Sequence, residues 1–343
     1  MENKNILRAI QFIGTQRSGS NLLRLMLNQL PEISAPHPPH ILKTFFPILP
    51  RYGNLDEAQN FLQLALDVCA WVNANPVPWE GVTFHAHKIV SQCRRRSLIE
   101  LFRCIYEVKA VHDNAKYWCC KSMESVNYVE QLEQEGIEPY YIHIYRDGRD
   151  VALSFLKAIV GPKHVYHLAK KWAEEQTASL KVKEKLGPSR VIQVRYETLI
   201  HDPRSEMHRI CRALNVPYSD EVFEYYHSAE SLNTASSGQM WKNVVKPIMS
   251  GNHDKFRREF SEEQLVVFER IAGPVLNELG YENIFWPNVP QAPFTAAELA
   301  DFKHAAEERY EEVIHDAEQG ELERRIPQEQ LMKEILSRPP SQM

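Results

Sequence analysis

The apolar run Ala9-Ile10-Gln11-Phe12-Ile13 stops at Gly14, and a pattern of Leu22, Leu23, Met26, Leu27 and Leu30 begins just past Ser20. The run is short and β-branched, so it reads as a buried strand; the pattern has helical spacing and ends at Pro31. Between them lies Gly14-Thr15-Gln16-Arg17-Ser18-Gly19-Ser20-Asn21. This glycine spacing, set between a strand and a helix, is that of a phosphate-cradling loop. Glycines let the backbone fold closely around an anion, and the free N–H groups of the first helical turn donate to it without a metal. The expected ligand is therefore a phosphate or a sulfate. Nucleotide triphosphatases carry a lysine and a Ser/Thr where this chain has Ser20 and Asn21, which argues against magnesium-dependent ATP hydrolysis. Arg17 supplies the cation instead, with a guanidinium suited to bidentate anion binding.

A second strand, loop and helix follow at Tyr140–Tyr145, Arg146-Asp147-Gly148-Arg149-Asp150 and the stretch from Val151. Arg146 ends the strand and Ser154 lies about two helical turns further on, so a guanidinium and a hydroxyl can converge on one anion. Val191–Val194 and Val82–Val90 are further predicted strands. Leu55–Val72, Arg95–Val108 and Pro203–Leu214 are predicted helices, and Gly136 closes another that holds Val126, Val129 and Leu132. The alternation predicts an α/β, three-layer, P-loop-like fold with a central, mainly parallel sheet flanked by helices and a ligand crevice at the strands' carboxyl ends. Six prolines between Pro31 and Pro50 disfavour regular structure there and suggest an ordered segment over the sheet edge. From about Pro290 charges dominate, and Leu299, Phe302, Ala306, Tyr310, Val313 and Ala317 form a thin helical stripe. We therefore divide the chain into a domain over 1–289 and a charged helical extension over 290–343, packed on the domain or on a partner subunit and outside the chemistry.

Composition narrows the partners. A net charge of -5 over 343 residues argues against general nucleic-acid binding. No apolar run reaches membrane-spanning length, and the polar start Met1–Arg8 does not read as a signal peptide, so a cytoplasmic location is expected. The six cysteines lack C-x-x-C spacing and read as reduced packing residues. His85 and His87, taken to share one face of the Val82–Val90 strand, raise the idea of zinc with Cys93, but no fourth ligand stands at suitable spacing and no metal is expected. Arg94-Arg95-Arg96 reads as a solvated charge run.

The order Arg17-Ser18-Gly19-Ser20-Asn21-Leu22-Leu23-Arg24, Lys121, Arg146 to Ser154, Arg195-Tyr196-Glu197 with Asp202-Pro203, Val245-Lys246-Pro247 and Lys255 resembles the sulfotransferases that use 3'-phosphoadenosine-5'-phosphosulfate (PAPS). It is most similar to the branch with the protein-tyrosine sulfotransferases and their bacterial relatives, over most of residues 9–283. The resemblance implies transfer of a sulfuryl group from PAPS to an acceptor hydroxyl or amine. It implies that Arg17, Ser18, Gly19, Ser20 and Asn21 hold the 5'-phosphosulfate, that Arg146 and Ser154 bind the 3'-phosphate, and that Tyr196 and Lys255 contact the nucleotide.

Such transfer needs a charge on the leaving oxygen stabilised and a base near the incoming hydroxyl. Lys121 matches a lysine of the related enzymes and is the candidate for the first task. Relatives commonly carry a glutamate after the first helix, but Ile33–Leu55 holds no carboxylate and reads Ala35-Pro36-His37-Pro38-Pro39-His40. Histidine titrates near neutral pH and flanking prolines would hold it rigidly, so His37 or His40 is the expected base, with His85 and His87 in reserve. The acceptor stays open among peptides, carbohydrates, lipids and small alcohols, as does the oligomeric state. The rival readings are a P-loop phosphotransferase and a nucleotide-binding protein without catalysis.

Overall fold

Side chains alternate between the two faces of a strand, and in the computed structural model, which describes residues 7–317 and 319–340, that alternation builds two cores. Strands β1 (Arg8–Ile13), β2 (Ile33–Ser34), β3 (Tyr117–Cys120), β4 (Tyr140–Tyr145) and β5 (Val191–Arg195) form an all-parallel sheet in the order β2-β3-β1-β4-β5. Around it run α1 (Ser20–Leu27), α2 (Ala58–Asn73), α3 (Leu98–His112), α4 (Gly148–Leu156), α5 (Val165–Leu186), α6 (Pro203–Leu214), α7 (Ala229–Ser236), α8 (Glu262–Glu278), α9 (Ala296–His315) and α10 (Ile326–Ser337). Ile10, Phe12, Cys119, Ile142, Ile144, Ile192 and Val194 face α1 and α6, while Ala9, Ile13, Trp118, Cys120, Tyr141 and Val191 face α2 and α3. A third apolar cluster joins α4, α5 and α8 outside the sheet. Parallel strands covered on both faces give near-continuous apolar runs, which is how β1 and β4 read.

Two segments differ from the expectation. Residues 82–90 are not a strand: the short helix Ala86–Val90 forms there, with Phe84, Ala86 and Ile89 buried and His85 and His87 exposed. Alternation of buried and exposed positions over so few residues fits either periodicity. The proline-rich segment supplies the edge strand β2 itself, then the helix Ile41–Phe45 and a 3-10 turn over Phe46–Tyr52, so it is more regular than its prolines suggest.

The last part of the chain folds back onto the domain. Phe302 of α9 stacks on His164 with ring centroids 4.5 Å apart, while Leu299 and Tyr310 of the same stripe stay exposed. Beyond α9, Arg338 pairs with the buried Asp67 of α2 through contacts of 2.8 and 2.9 Å. No described helix is long and apolar enough to cross a membrane. Residues 1–6, on which part of the leader reading rests, lie outside the described residues. All six cysteines are free, and burial pushes the Cys119 and Cys120 thiols up, as suits packing residues.

Candidate active site

Each of the five strands delivers a side chain at its carboxyl end to one cavity of about 650 Å³, a size typical of small-molecule sites. β1 leads to Arg17, Gly19, Ser20 and Asn21; β2 to His37 and His40; β3 to Lys121; β4 to Arg146 and, through α4, Ser154; β5 to Tyr196. Lys255 also lines it. Ser18 does not, being turned inward with its hydroxyl buried and unpartnered. His85, His87 and Arg94–Arg96 lie away from the cavity, and no cluster that could hold a metal occurs among the described residues.

The first loop is held open by its backbone. Gly19 has φ +84°, and a Cβ there would come within 2.3 Å of the Tyr196 ring. Arg17 also takes a left-handed φ of 72°, a conformation that costs a non-glycine residue and marks a constrained loop. No side chain caps the N-terminus of α1, and Gly19, Ser20 and Asn21 at that end line the cavity. A buried relay braces the loop from behind: His143 of β4 meets Gln176 of α5 at 2.8 Å, and Gln176 donates to Thr15 at 3.1 Å.

Arg17 and Arg146 line the same cavity, close enough for Arg146 to disfavour the charge on Arg17. Burial first, and then Arg146, lower the Arg17 pKa to about 10, with Glu321 opposing them; the guanidinium keeps its charge at neutral pH. Arg17 Nε donates to Ser154 Oγ at 3.0 Å, so the hydroxyl expected beside Arg146 is held by the loop arginine. Arg146 lies over the Tyr196 ring at 4.6 Å and donates to Asp150 at 3.1 Å and to the Asn252 carbonyl at 2.9 Å; its Nε is buried and unpartnered. Asp147 caps α4, and Arg149 is a buried strut between Asp147, Glu269 and the Glu282 carbonyl. Only the first arginine of Arg146-Asp147-Gly148-Arg149-Asp150 therefore serves the cavity.

The other end of the cavity is built from β2 and β3. Lys121 is 7% exposed, and burial, with Arg24 and Arg17 nearby and Glu124 opposing, brings its pKa down to about 7. The His37 carbonyl accepts from Trp79 Nε1 at 2.6 Å and from Asn75, and the Pro39 carbonyl accepts from Trp71 Nε1 at 2.6 Å. These indole donors, with Arg24 on the Ala35 carbonyl at 2.8 Å, hold the histidine segment rigidly. The two imidazoles differ. His40 Nδ1 meets Ser122 Oγ at 2.8 Å and its Nε2 has no partner among the described residues. His37 stacks edge-on against Trp241 at 5.0 Å, with both ring nitrogens buried and unpartnered. Burial, helped by Lys121, holds His37 well below its usual pKa and His40 at about 4, Glu124 opposing the shift at His40. Both rings are neutral near pH 7.

Glu124, just outside the cavity lining, is a bracing residue that the sequence did not disclose. It follows β3, some eighty positions from the segment where a carboxylate was sought, and its Oε1 accepts from Lys43 at 2.6 Å and Gln16 at 2.9 Å. Burial alone would raise its pKa, but His40 and Lys43 bring it down to about 2. It ties the first loop to the histidine segment, a link that no local spacing announces.

Comparison with known proteins agrees with the fold. A family model described as the sulfotransferase family matches residues 10–220. Protein-tyrosine sulfotransferase A of Caenorhabditis elegans is 24% identical over 279 residues, covering 78% of this chain and 66% of that protein. An uncharacterized protein of Aquifex aeolicus is 25% identical over 157 residues, 43% of this chain and 19% of its own length. The chain thus spans under two thirds of the length of these relatives. Among solved structures, the sulfotransferase domain of the Synechococcus PCC 7002 olefin synthase shares the fold at a TM-score of 0.50 and 20% identity, covering 77% of this chain and 94% of its own. The sulfotransferase domain from the curacin biosynthetic pathway does so at 0.54 and 17%, covering 81% and 99%. The family match takes in the carboxyl ends of all five strands that open onto the cavity, and, matched over more than half its length, the chain belongs to the sulfotransferase family.

Proposed function

We propose that the chain moves a sulfuryl group from PAPS to an acceptor hydroxyl or amine. One observation carries this reading: two separate cationic clamps, Arg17 after β1 and Arg146 after β4, face a single cavity that also holds Lys121 and His40. PAPS is anionic at both its 5' and 3' ends, which suits two clamps. The residues present fit it, since Arg146 Nε is buried without a partner and Arg17, Gly19, Ser20 and Asn21 line the same cavity. Arg17, Gly19, Ser20 and Asn21 would hold the 5'-phosphosulfate, Arg146 and Ser154 the 3'-phosphate, and Tyr196 and Lys255 the nucleoside side.

When bound, PAPS supplies a sulfuryl group on a phosphate leaving group. The residues then divide the work. His40 Nε2, with Nδ1 held on Ser122, takes the proton of the acceptor as the new S–O or S–N bond forms. Lys121, protonated beside an anion, steadies the charge on the bridging oxygen as its bond to sulfur breaks. His37, neutral and unpartnered, orients the acceptor. The free thiols support the expectation of a reducing, cytoplasmic setting.

The test is transfer of ³⁵S from labelled PAPS to a panel of a tyrosyl peptide, a sugar, a lipid alcohol and a small phenol, in the presence of EDTA. Labelled product and 3',5'-bisphosphoadenosine in equal amounts are expected. Turnover that needs magnesium and ATP would point to phosphoryl transfer, and nucleotide binding with no transfer at all would point to a protein without catalysis.

A further inference from the structure

Arg325 reaches the cavity from the segment between α9 and α10, and its guanidinium makes no hydrogen bond among the described residues. Its nearest carboxylate, Glu321, is 3.8 Å away, beyond hydrogen-bond reach. Glu321 is itself engaged: it is 2% exposed and accepts from the Gln239 backbone N–H at 2.9 Å. A Cβ on Gly238 would lie 2.4 Å from Glu321 Oε1, so the two segments fit without room to spare.

The segment is fastened at several further points. Arg51 donates to the carbonyls of Leu336 and Arg338 at 2.7 and 2.6 Å, and Gln328 donates to the Trp71 carbonyl at 2.9 Å. Ile335 is buried in the core against α2, and Arg338 holds Asp67 with two contacts. Arg325 is therefore presented by a docked element, at the end of the cavity that holds His37 and His40.

That end has apolar walls, Trp71, Trp241, Pro38 and Pro39, and a surplus of positive charge. Burial and then Lys121, Arg24, His40 and Arg325 all act against a proton on His37. The carboxylate nearby, Glu124, is held through one oxygen by Lys43 and Gln16 and does not line the cavity. A guanidinium with unspent donors in a partly dry site fits a planar carboxylate, which can take two parallel N–H bonds. The unpartnered His37 nitrogens next to it call for a polar group from outside the chain.

We propose that Arg325 selects acceptors that carry a carboxylate in addition to the group to be sulfated. The inference rests on the sulfuryl-transfer reading and adds the acceptor's chemistry to it. A flat body suits the indole and proline walls, so the probes are 4-hydroxyphenylacetate and its neutral amide, 4-hydroxyphenylacetamide.

Calorimetric titration of each probe into the full chain saturated with 3',5'-bisphosphoadenosine reads the preference directly. The carboxylate should bind about tenfold or more tightly than the amide. Arg325→Gln should erase the difference and Arg325→Lys restore part of it, with nucleotide affinity held within about twofold. Equal affinity of the two probes, no binding of either, an undiminished preference in Arg325→Gln, or a loss confined to nucleotide binding would each overturn the proposal. Failure of the unmodified chain to bind the bisphosphate would instead undo the sulfuryl-transfer reading beneath it.

Discussion

Lys121 carries a charge that its surroundings resist. Held at about 7 by burial and by Arg24 and Arg17, it is mostly neutral at pH 8, whereas an anion bound beside it restores the proton. Binding of 3',5'-bisphosphoadenosine at pH 8 should thus take up a fraction of a proton, read from heats in buffers of different ionisation enthalpy, and Lys121→Met should abolish the uptake. Equal heats after buffer correction would show that the ammonium does not face the ligand. His40 has the opposite assignment, neutral above about pH 4 and ready to accept. His40→Ala should lower kcat by roughly 10²–10⁴-fold, the usual worth of a general base, with little change in nucleotide affinity. An undiminished kcat would transfer the role to His37. Arg146→Ala should weaken the 3'-phosphorylated nucleotide by about 10–100-fold while leaving 5'-AMP almost unchanged, because only the former loses a charge-assisted bond.

The strand-to-helix units set where these side chains stand, and the first is the most demanding. Gly19→Ala meets both a left-handed φ and the Tyr196 ring, so the loop must shift. Nucleotide affinity should fall at least tenfold while the melting temperature changes by only a few degrees; unchanged affinity would mean that the loop does not cradle the anion. These units were legible because their information is local: β1 and β4 are apolar runs, and Gly14 to Asn21 carries its own spacing. Pro203 after Asp202 marked the start of α6, where the Asp202 side chain caps the Ser205 N–H at 3.2 Å. Residues 82–90 were misread because a five-residue helix and a strand offer the same buried positions over so short a span. Glu124 and Arg325 were invisible for another reason: each acts through contacts between segments far apart in the chain, Glu124 bracing the cavity from outside its lining and Arg325 entering it.

In the whole molecule, the cavity lies where five parallel strands end, and much of its lining is buried and titratable. His37, His40 and His143 stay neutral when folded, the last two at about 4, chiefly through burial. The unfolded chain binds more protons below about pH 6.5, so stability falls as pH drops from there toward 4, by roughly 1–2 kcal/mol for each of His40 and His143 at pH 5. Urea midpoints at pH 7 and pH 5 should differ accordingly, and His143→Gln should narrow the gap. Cooperation between the clamps after β1 and β4 is read most directly by titrating the unmodified chain with 3',5'-bisphosphoadenosine and with 5'-AMP under the same conditions. At least tenfold tighter binding of the bisphosphate is the predicted result; equal affinities would mean that Arg17 and Arg146 do not grip one ligand.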